Sequence, residues 1–95
     1  VERKKLSAEE IRTALENLNG WHAENDNLKK RFTFPNFAES LAFVNKAGEI
    51  AERRDHHPDI LFGWGYAEFQ ITTHDAGGIT AFDFALAKEI ENISA

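Results

Sequence analysis

The stretch RRDHHPDILFGWGY, Arg53 to Tyr66, holds the turning point of the chain. Pro58 disfavours a helical residue ahead of it, so a helix arriving from upstream must end before His57. Ile60 to Gly63 then reads as a short strand and Gly65 as a turn. Beyond the turn, Ala67, Phe69, Ile71 and Thr73 alternate with Glu68, Gln70, Thr72 and His74, the period of a strand with one covered face. Two adjacent imidazoles, His56 and His57, thus stand where a helix hands over to a hairpin.

Working upstream, Asn36 is placed to cap that helix, with Glu39 at the box position. Its apolar residues make two stripes: Phe37, Leu41, Val44, Gly48 and Ala51, and beside them Phe43, Ala47 and Ile50. An arc that wide suits either deep burial or packing on a partner as well as on the sheet. Pro35 ends the element before it. Leu28 to Phe34 reads as a strand, Asn25-Asp26-Asn27 as turn chemistry, and Trp21 to Glu24 as the first arm of a hairpin. Ser7-Ala8-Glu9-Glu10 is a capping box opening a first helix with Ile11, Ala14, Leu15 and Leu18 on one face and Gly20 as its stop.

Downstream, His74 to Gly78 reads as a loop. Thr80 caps a third helix, with Asp83 in the box position and Ile79 and Phe84 placed as a staple. Phe82, Leu86, Ile90 and Ile93 give its expected core face. The order is α-β-β-α-β-β-α. The expected fold class is α+β: a four-stranded antiparallel sheet with three helices on one face, in a single domain over residues 1–95.

The chain has 95 residues, a formal net charge of −5 and eight Phe, which suits one modest core. The acidic balance argues against a broad nucleic-acid footprint. The runs Arg3-Lys4-Lys5 and Lys29-Lys30-Arg31 are too short for a phosphate track. With no Cys, thiolate chemistry and disulfides are out. No apolar run approaches the ~18 residues of a membrane span, and no signal-peptide core opens the chain. The expectation is a cytoplasmic protein that contacts neither membrane nor nucleic acid directly.

Three of the four histidines fall in the C-terminal half. If the two strands of the second hairpin pair antiparallel, the start of one lies beside the end of the other. His74 then joins His56 and His57 at one end of the sheet, with Gly77-Gly78 beside them. Imidazole titrates near working pH, at about 6.5, so one can donate a proton while another accepts. That suits loss of water from a carbon with a neighbouring N–H. Glu52, one turn before His56, is placed to orient that ring or to be a surface acid. Asp83 reads both as a cap and as a site carboxylate. A zinc site from three His and Asp75 or Asp83 is awkward, because adjacent residues point apart. His22 has no such company and reads as a solvated residue.

The order Glu52, His56-His57-Pro58, Trp64, His74, Asp83, with the segments AERRDHHPDI and ITTHDAGGIT, resembles the pterin-4a-carbinolamine dehydratases over nearly the whole chain. The resemblance implies dehydration of 4a-hydroxytetrahydrobiopterin to quinonoid dihydrobiopterin, in tetrahydrobiopterin recycling, with no metal or bound cofactor. It implies His56, His57 and His74 as the catalytic set, with Glu52, Asp55, Thr73, Asp75, Ala76 and Asp83 supporting or binding substrate. Some members carry Cys at the position of Ala76. Trp64 reads equally as a packing residue or a ligand contact. The resemblance also implies a homodimer that extends the sheet edge to edge, or a homotetramer closed through the second helix. The alternative role is that of a dimerisation cofactor for a transcription factor, binding a foreign helix around Phe37, Phe43 and Val44, with the nucleus as a second location.

Overall fold

A computed structural model describes residues 4–93, so Arg3 of the first basic run lies outside the described residues. The elements are α1 (Ala8–Leu15), β1 (His22–Glu24), β2 (Asn27–Thr33), α2 (Phe37–Arg54), β3 (Asp59–Gly63), β4 (Tyr66–Ile71) and α3 (Ala81–Ile93), with a short 3₁₀ turn over His74–Ala76. The four strands form one antiparallel sheet in the order β1-β2-β4-β3. The fold class and element order are those expected from the pattern of the residues.

Local chemistry sets most of the boundaries. Ser7 Oγ accepts from Glu10 N at 3.1 Å while Glu10 Oε1 accepts from Ser7 N at 2.8 Å, a closed capping box. These bonds hold the Glu10 carboxyl below its usual range, the one to the Ser7 backbone contributing most. Asn36 Oδ1 accepts from Glu39 N at 2.9 Å and starts α2. The β1–β2 turn is two residues long, Asn25 and Asp26, both left-handed at φ 52° and 64°. That is the twist a tight hairpin needs, and Asn and Asp tolerate it.

α1 is shorter than its apolar stripe suggests. The helix stops at Leu15, and the chain continues in tight turns, with Leu18 N donating to Leu15 O at 3.1 Å. Asn17, Asn19 and Gly20 are weak helix formers, yet Leu18 still reaches the core at 4% exposure.

The core lies between the sheet and the helices. β4 contributes Ala67, Phe69 and Ile71, all fully buried, and β2 contributes Leu28. Phe43 of α2 packs on Phe32 and Phe69, with ring centroids 4.7 and 5.9 Å apart. Ser40, Phe43, Ala47 and Ala51 form the buried face of α2, while Phe37 and Leu41 stay exposed. Ser40 sits inside because its hydroxyl donates to Gly63 O at 2.7 Å, tying the start of α2 to the end of β3. On α3 the core face is Phe84, Leu86, Ala87 and Ile90. Phe82, expected there, is only half-buried and faces the His56 ring at 6.2 Å.

α2 ends in a left-handed turn. Asp55 takes φ 51°, Asp55 N donates to Glu52 O at 3.2 Å, and His56 N donates to Ala51 O at 3.1 Å. This pair of bonds is the Schellman pattern, and it folds residue 56 back over the helix end. A β-branched side chain at position 55 cannot take that backbone cheaply. Asp55→Ile is expected to lose about 1–2 kcal/mol in urea unfolding. Asp55→Gly should match or exceed the wild type in the same measurement, because glycine enters this region freely.

Candidate active site

Antiparallel pairing of β3 with β4 sets Asp59 opposite Gln70. The chain just before Asp59 therefore lies beside the chain just after Gln70. A cleft of about 500 Å³ opens there, walled by Asp55, His56, His57, Thr73, His74 and Asp75 among others. Histidines from two separate segments of the chain thus share one wall.

They occupy three different environments. His56 is 7% exposed, and its Nε2 lies 2.5 Å from Asp83 Oδ1. Asp83 is fully buried, so its charge requires donors. Its Oδ2 accepts from Thr80 N at 2.7 Å and from Thr73 Oγ1 at 2.9 Å. Thr73 and Thr80 join hydroxyl to hydroxyl at 2.8 Å. An ionised carboxylate only accepts, so Nε2 of His56 carries the proton between them. Among the described residues no buried side-chain nitrogen or oxygen lacks a partner, and His56 bonds through Nε2 alone. Its Nδ1 is therefore accessible, in the wall of the cleft.

His57 points the other way. It is exposed, and its Nε2 lies 2.5 Å from Glu52 Oε2. Glu52 thus orients His57 and not His56, which corrects the expectation drawn from helical spacing. The folded-back turn at Asp55 is the reason: it sends residue 56 toward α3 and leaves residue 57 over the last turn of α2. His74 is exposed, and its ring has no protein partner among the described residues.

The remaining expected residues divide. Asp55 and Asp75 line the cleft, and Thr73 lines it while lying 1% exposed. Ala76 belongs to the same short turn but is absent from the cleft wall. Trp64 is 71% exposed at the tip of the β3–β4 hairpin, at the opposite end of β3 from His57. It neither packs in the core nor lines the cleft. His22 sits on edge strand β1, 3.7 Å from Glu24. Sequence reasoning missed Thr80, seen only as a cap, whose hydroxyl belongs to the buried network. Among the described residues no group of three or more His, Asp or Glu is arranged to hold a metal. None of the described helices is long and apolar enough to cross a membrane.

α2 is also fastened to α3 beside the site. Arg53 Nη2 donates to Glu89 Oε2 at 2.7 Å, and Arg54 Nε donates to Glu89 Oε1. The Arg54 hydrogen bond, more than any other cause, holds the Glu89 carboxyl below its usual range.

The family model described as Pterin 4 alpha carbinolamine dehydratase matches residues 4–93. The chain belongs to this family. A relative from Rubrobacter xylanophilus, named for pterin-4-alpha-carbinolamine dehydratase, is 43% identical over 93% of this chain and 83% of its own. The crystal structure of a transcriptional coactivator/pterin dehydratase from Brucella melitensis superposes with a TM-score of 0.93 at 26% identity, covering 97% of this chain and all of that one. A pterin dehydratase-like protein identified as a RuBisCO assembly factor shares the fold, with a TM-score of 0.66 at 22% identity over 79% of this chain and 87% of that one. The pterin dehydratase family is named for a hydro-lyase reaction, the loss of water from a pterin carbinolamine.

The buried network makes a stability prediction. Asp83→Ala strands His56, Thr73 and the Thr80 amide in one step, and should cost about 3–5 kcal/mol in urea unfolding. Thr73→Val should cost about 1–3 kcal/mol, the range for an unmet buried partner, and Thr73→Ser should restore most of it.

Proposed function

We propose that this protein dehydrates 4a-hydroxytetrahydrobiopterin to quinonoid dihydrobiopterin by histidine acid–base catalysis, in the recycling of tetrahydrobiopterin. The observation that carries the reading is the set of three imidazoles on one open cleft, two of them backed by carboxylates. Family membership supports the coarser activity.

The chemistry needs two proton transfers. The C4a–O bond breaks as the hydroxyl takes a proton and leaves as water. The N5–H bond gives up its proton, and the electron pair closes the C4a=N5 double bond. His56 is held through Nε2 by Asp83, so Nδ1 is the atom free to take or give a proton, with its tautomer fixed by the carboxylate. Glu52 does the same for His57 from the solvent side. His74 has no protein partner among the described residues to leave before it meets the ligand. The set can thus supply both a base and an acid to one substrate in the cleft, each worth roughly a hundredfold to ten-thousandfold.

A second reading rests on a separate surface. Phe37 and Leu41 are 44% and 39% exposed on one face of α2, and Phe37 lies against Phe62 with ring centroids 5.7 Å apart. Phe43, expected on that surface, is buried in the core and unavailable. The coactivator name borne by the Brucella protein and this apolar face together support a protein-binding role, either closing a homo-oligomer or taking a partner's helix. The sheet edges β1 and β3 are open to edge pairing with a second copy in a homodimer, and Leu61 on β3 is 61% exposed. The cytoplasm, and the nucleus for a coactivator, are the locations this reading carries.

In a hydroxylase-coupled assay, the wild type should speed decay of the 4a-carbinolamine over the uncatalysed rate. His74→Ala should lower kcat about a hundredfold or more with an unchanged melting temperature, since the ring supports nothing else. Equal rates for the wild type and the His56, His57 and His74 alanine variants would reject the mechanism.

A further inference from the structure

The buried seam of α2 stops short of the site. Ala51 is the last core residue of the helix; residues 52–55 are all exposed, and His56 is buried again. Glu52, Arg53, Arg54 and Asp55 offer no apolar side chain to hold the tail of α2 against α3. The left-handed turn is tied by backbone bonds to α2 alone, through Asp55 N to Glu52 O and His56 N to Ala51 O. The turn therefore moves with the tail of α2, whereas Asp83 moves with α3.

Among the described residues, the hydrogen bonds that join this exposed stretch to α3 are those of Glu89. Its two carboxylate oxygens are shared out, Oε2 to Arg53 and Oε1 to Arg54. Arg54, the last residue of the helix, directly precedes the turn. The Arg54 side chain is 37% exposed and that of Glu89 29%, so the pair is partly withdrawn from solvent. Held below its usual range, chiefly by Arg54, the Glu89 carboxyl stays ionised wherever the imidazoles titrate. Glu89 lies beyond Asp83 on α3, about 9 Å further along the helix. α3 thus offers two carboxylates to the end of α2, one buried and one near the surface. One point of attachment leaves a pivot, and two fix an orientation.

We propose that Glu89 is a positioning residue for the site: through Arg54 it holds the tail of α2 against α3, so that His56 stays bonded to Asp83 with Nδ1 in the cleft. The inference rests on the dehydratase reading above and adds to it a residue that touches no substrate. Thr73 and His74 belong to the β4 side of the cleft and stay in place when the tail of α2 loosens. Substrate binding should therefore survive better than turnover. Catalysis is the sensitive quantity, since a misplacement of about 1 Å can cost about a hundredfold. A largely exposed ion pair adds little to stability, so its loss shows in the site before it shows in the fold.

The test breaks the contact from both sides. Glu89→Gln keeps the shape but removes the charge and one acceptor, and Arg54→Met keeps an unbranched apolar stem without the guanidinium. In the hydroxylase-coupled assay each should lower kcat about fivefold or more, with KM within about twofold of the wild type. The double variant should be no slower than the slower single one, because both residues act through one contact. In imidazole nitrogen NMR spectra, the His56 Nε2 proton should exchange with water about tenfold faster or more in each variant, as the tail opens locally. Glu68→Gln weakens a similar bond to Arg31 on the sheet, 2.9 Å long, and as the control should alter neither kcat nor the exchange. Multiplying losses in the double variant, a loss carried by KM, an equal loss in the control, or an unchanged exchange rate would overturn the proposal. A wild type that turns over no carbinolamine would instead bring down the dehydratase reading, and the imidazole exchange alone would then uphold or overturn the hold of Glu89 on His56.

Discussion

The buried carboxylate of Asp83 is the constraint on which the site depends. A charge removed from water costs several kcal/mol unless donors replace the solvent. Here the donors come from three separate parts of the chain: the Thr80 amide at the head of α3, the Thr73 hydroxyl just past β4, and the His56 ring just past α2. None of these segments can move away without stranding the charge. One acid therefore fixes how two helix ends and a strand end meet, and that meeting place is the cleft. The same carboxylate that starts α3 also sets the tautomer of an imidazole, so helix capping and site chemistry are one interaction.

Three identical side chains gain three different characters from this arrangement. The left-handed turn at Asp55 sends neighbouring residues to opposite sides, His56 into the protein and His57 into solvent. Each finds a carboxylate, and the two carboxylates differ in burial even more than the rings do. A hydrogen bond to a carboxylate held inside feels a lower effective dielectric than one screened by water, so Asp83 governs its ring more strongly than Glu52 governs its own. His74 is carried on a short turn, and its ring has no protein partner among the described residues. Acid–base chemistry on a substrate that both gains and loses a proton benefits from groups that are not interchangeable.

Much of this was legible in the residues because local rules set it. Ser7 with Glu10, Asn36 with Glu39 and Thr80 with Asp83 marked helix starts by chemistry that acts within one turn. The alternation from Ala67 to His74 marked β4 and its faces, and antiparallel pairing brought His74 to His56 and His57. Most of the misses involve partners far along the chain or a backbone turn that period counting ignores. Helical spacing offered Glu52 to His56, and the left-handed residue at 55 reversed the assignment. Ser40 belongs to neither apolar stripe, yet its bond to Gly63 O makes it a buried tie. Lys30 falls on the same strand face as Leu28 and Phe32, and it fits there because Glu91 of α3 and Asn19 O receive its ammonium while Phe32 lies under it. Phe82 shares spacing with the α3 core, but the capped start rotates it toward His56 and gives the core to Phe84 and Ala87.

The breadth of the apolar arc on α2 has a structural source. Ala47 and Ala51 are small, so the helix sits close to the sheet and needs only a narrow seam for its own core. The larger residues Phe37 and Leu41 are displaced outward, near the helix start, where Phe62 of β3 supports Phe37. Glu52 and the histidines lie at the other end. From Leu41 to Glu52 the helix rises about 17 Å, so a partner seated on the aromatic end would not cover the cleft by reach alone. The two ends still share one rigid rod, closed at the head by Asn36 and Ser40 and at the tail by the turn at Asp55. A surface that binds protein and a site that moves protons can therefore occupy the same helix, each held by bonds the other does not use.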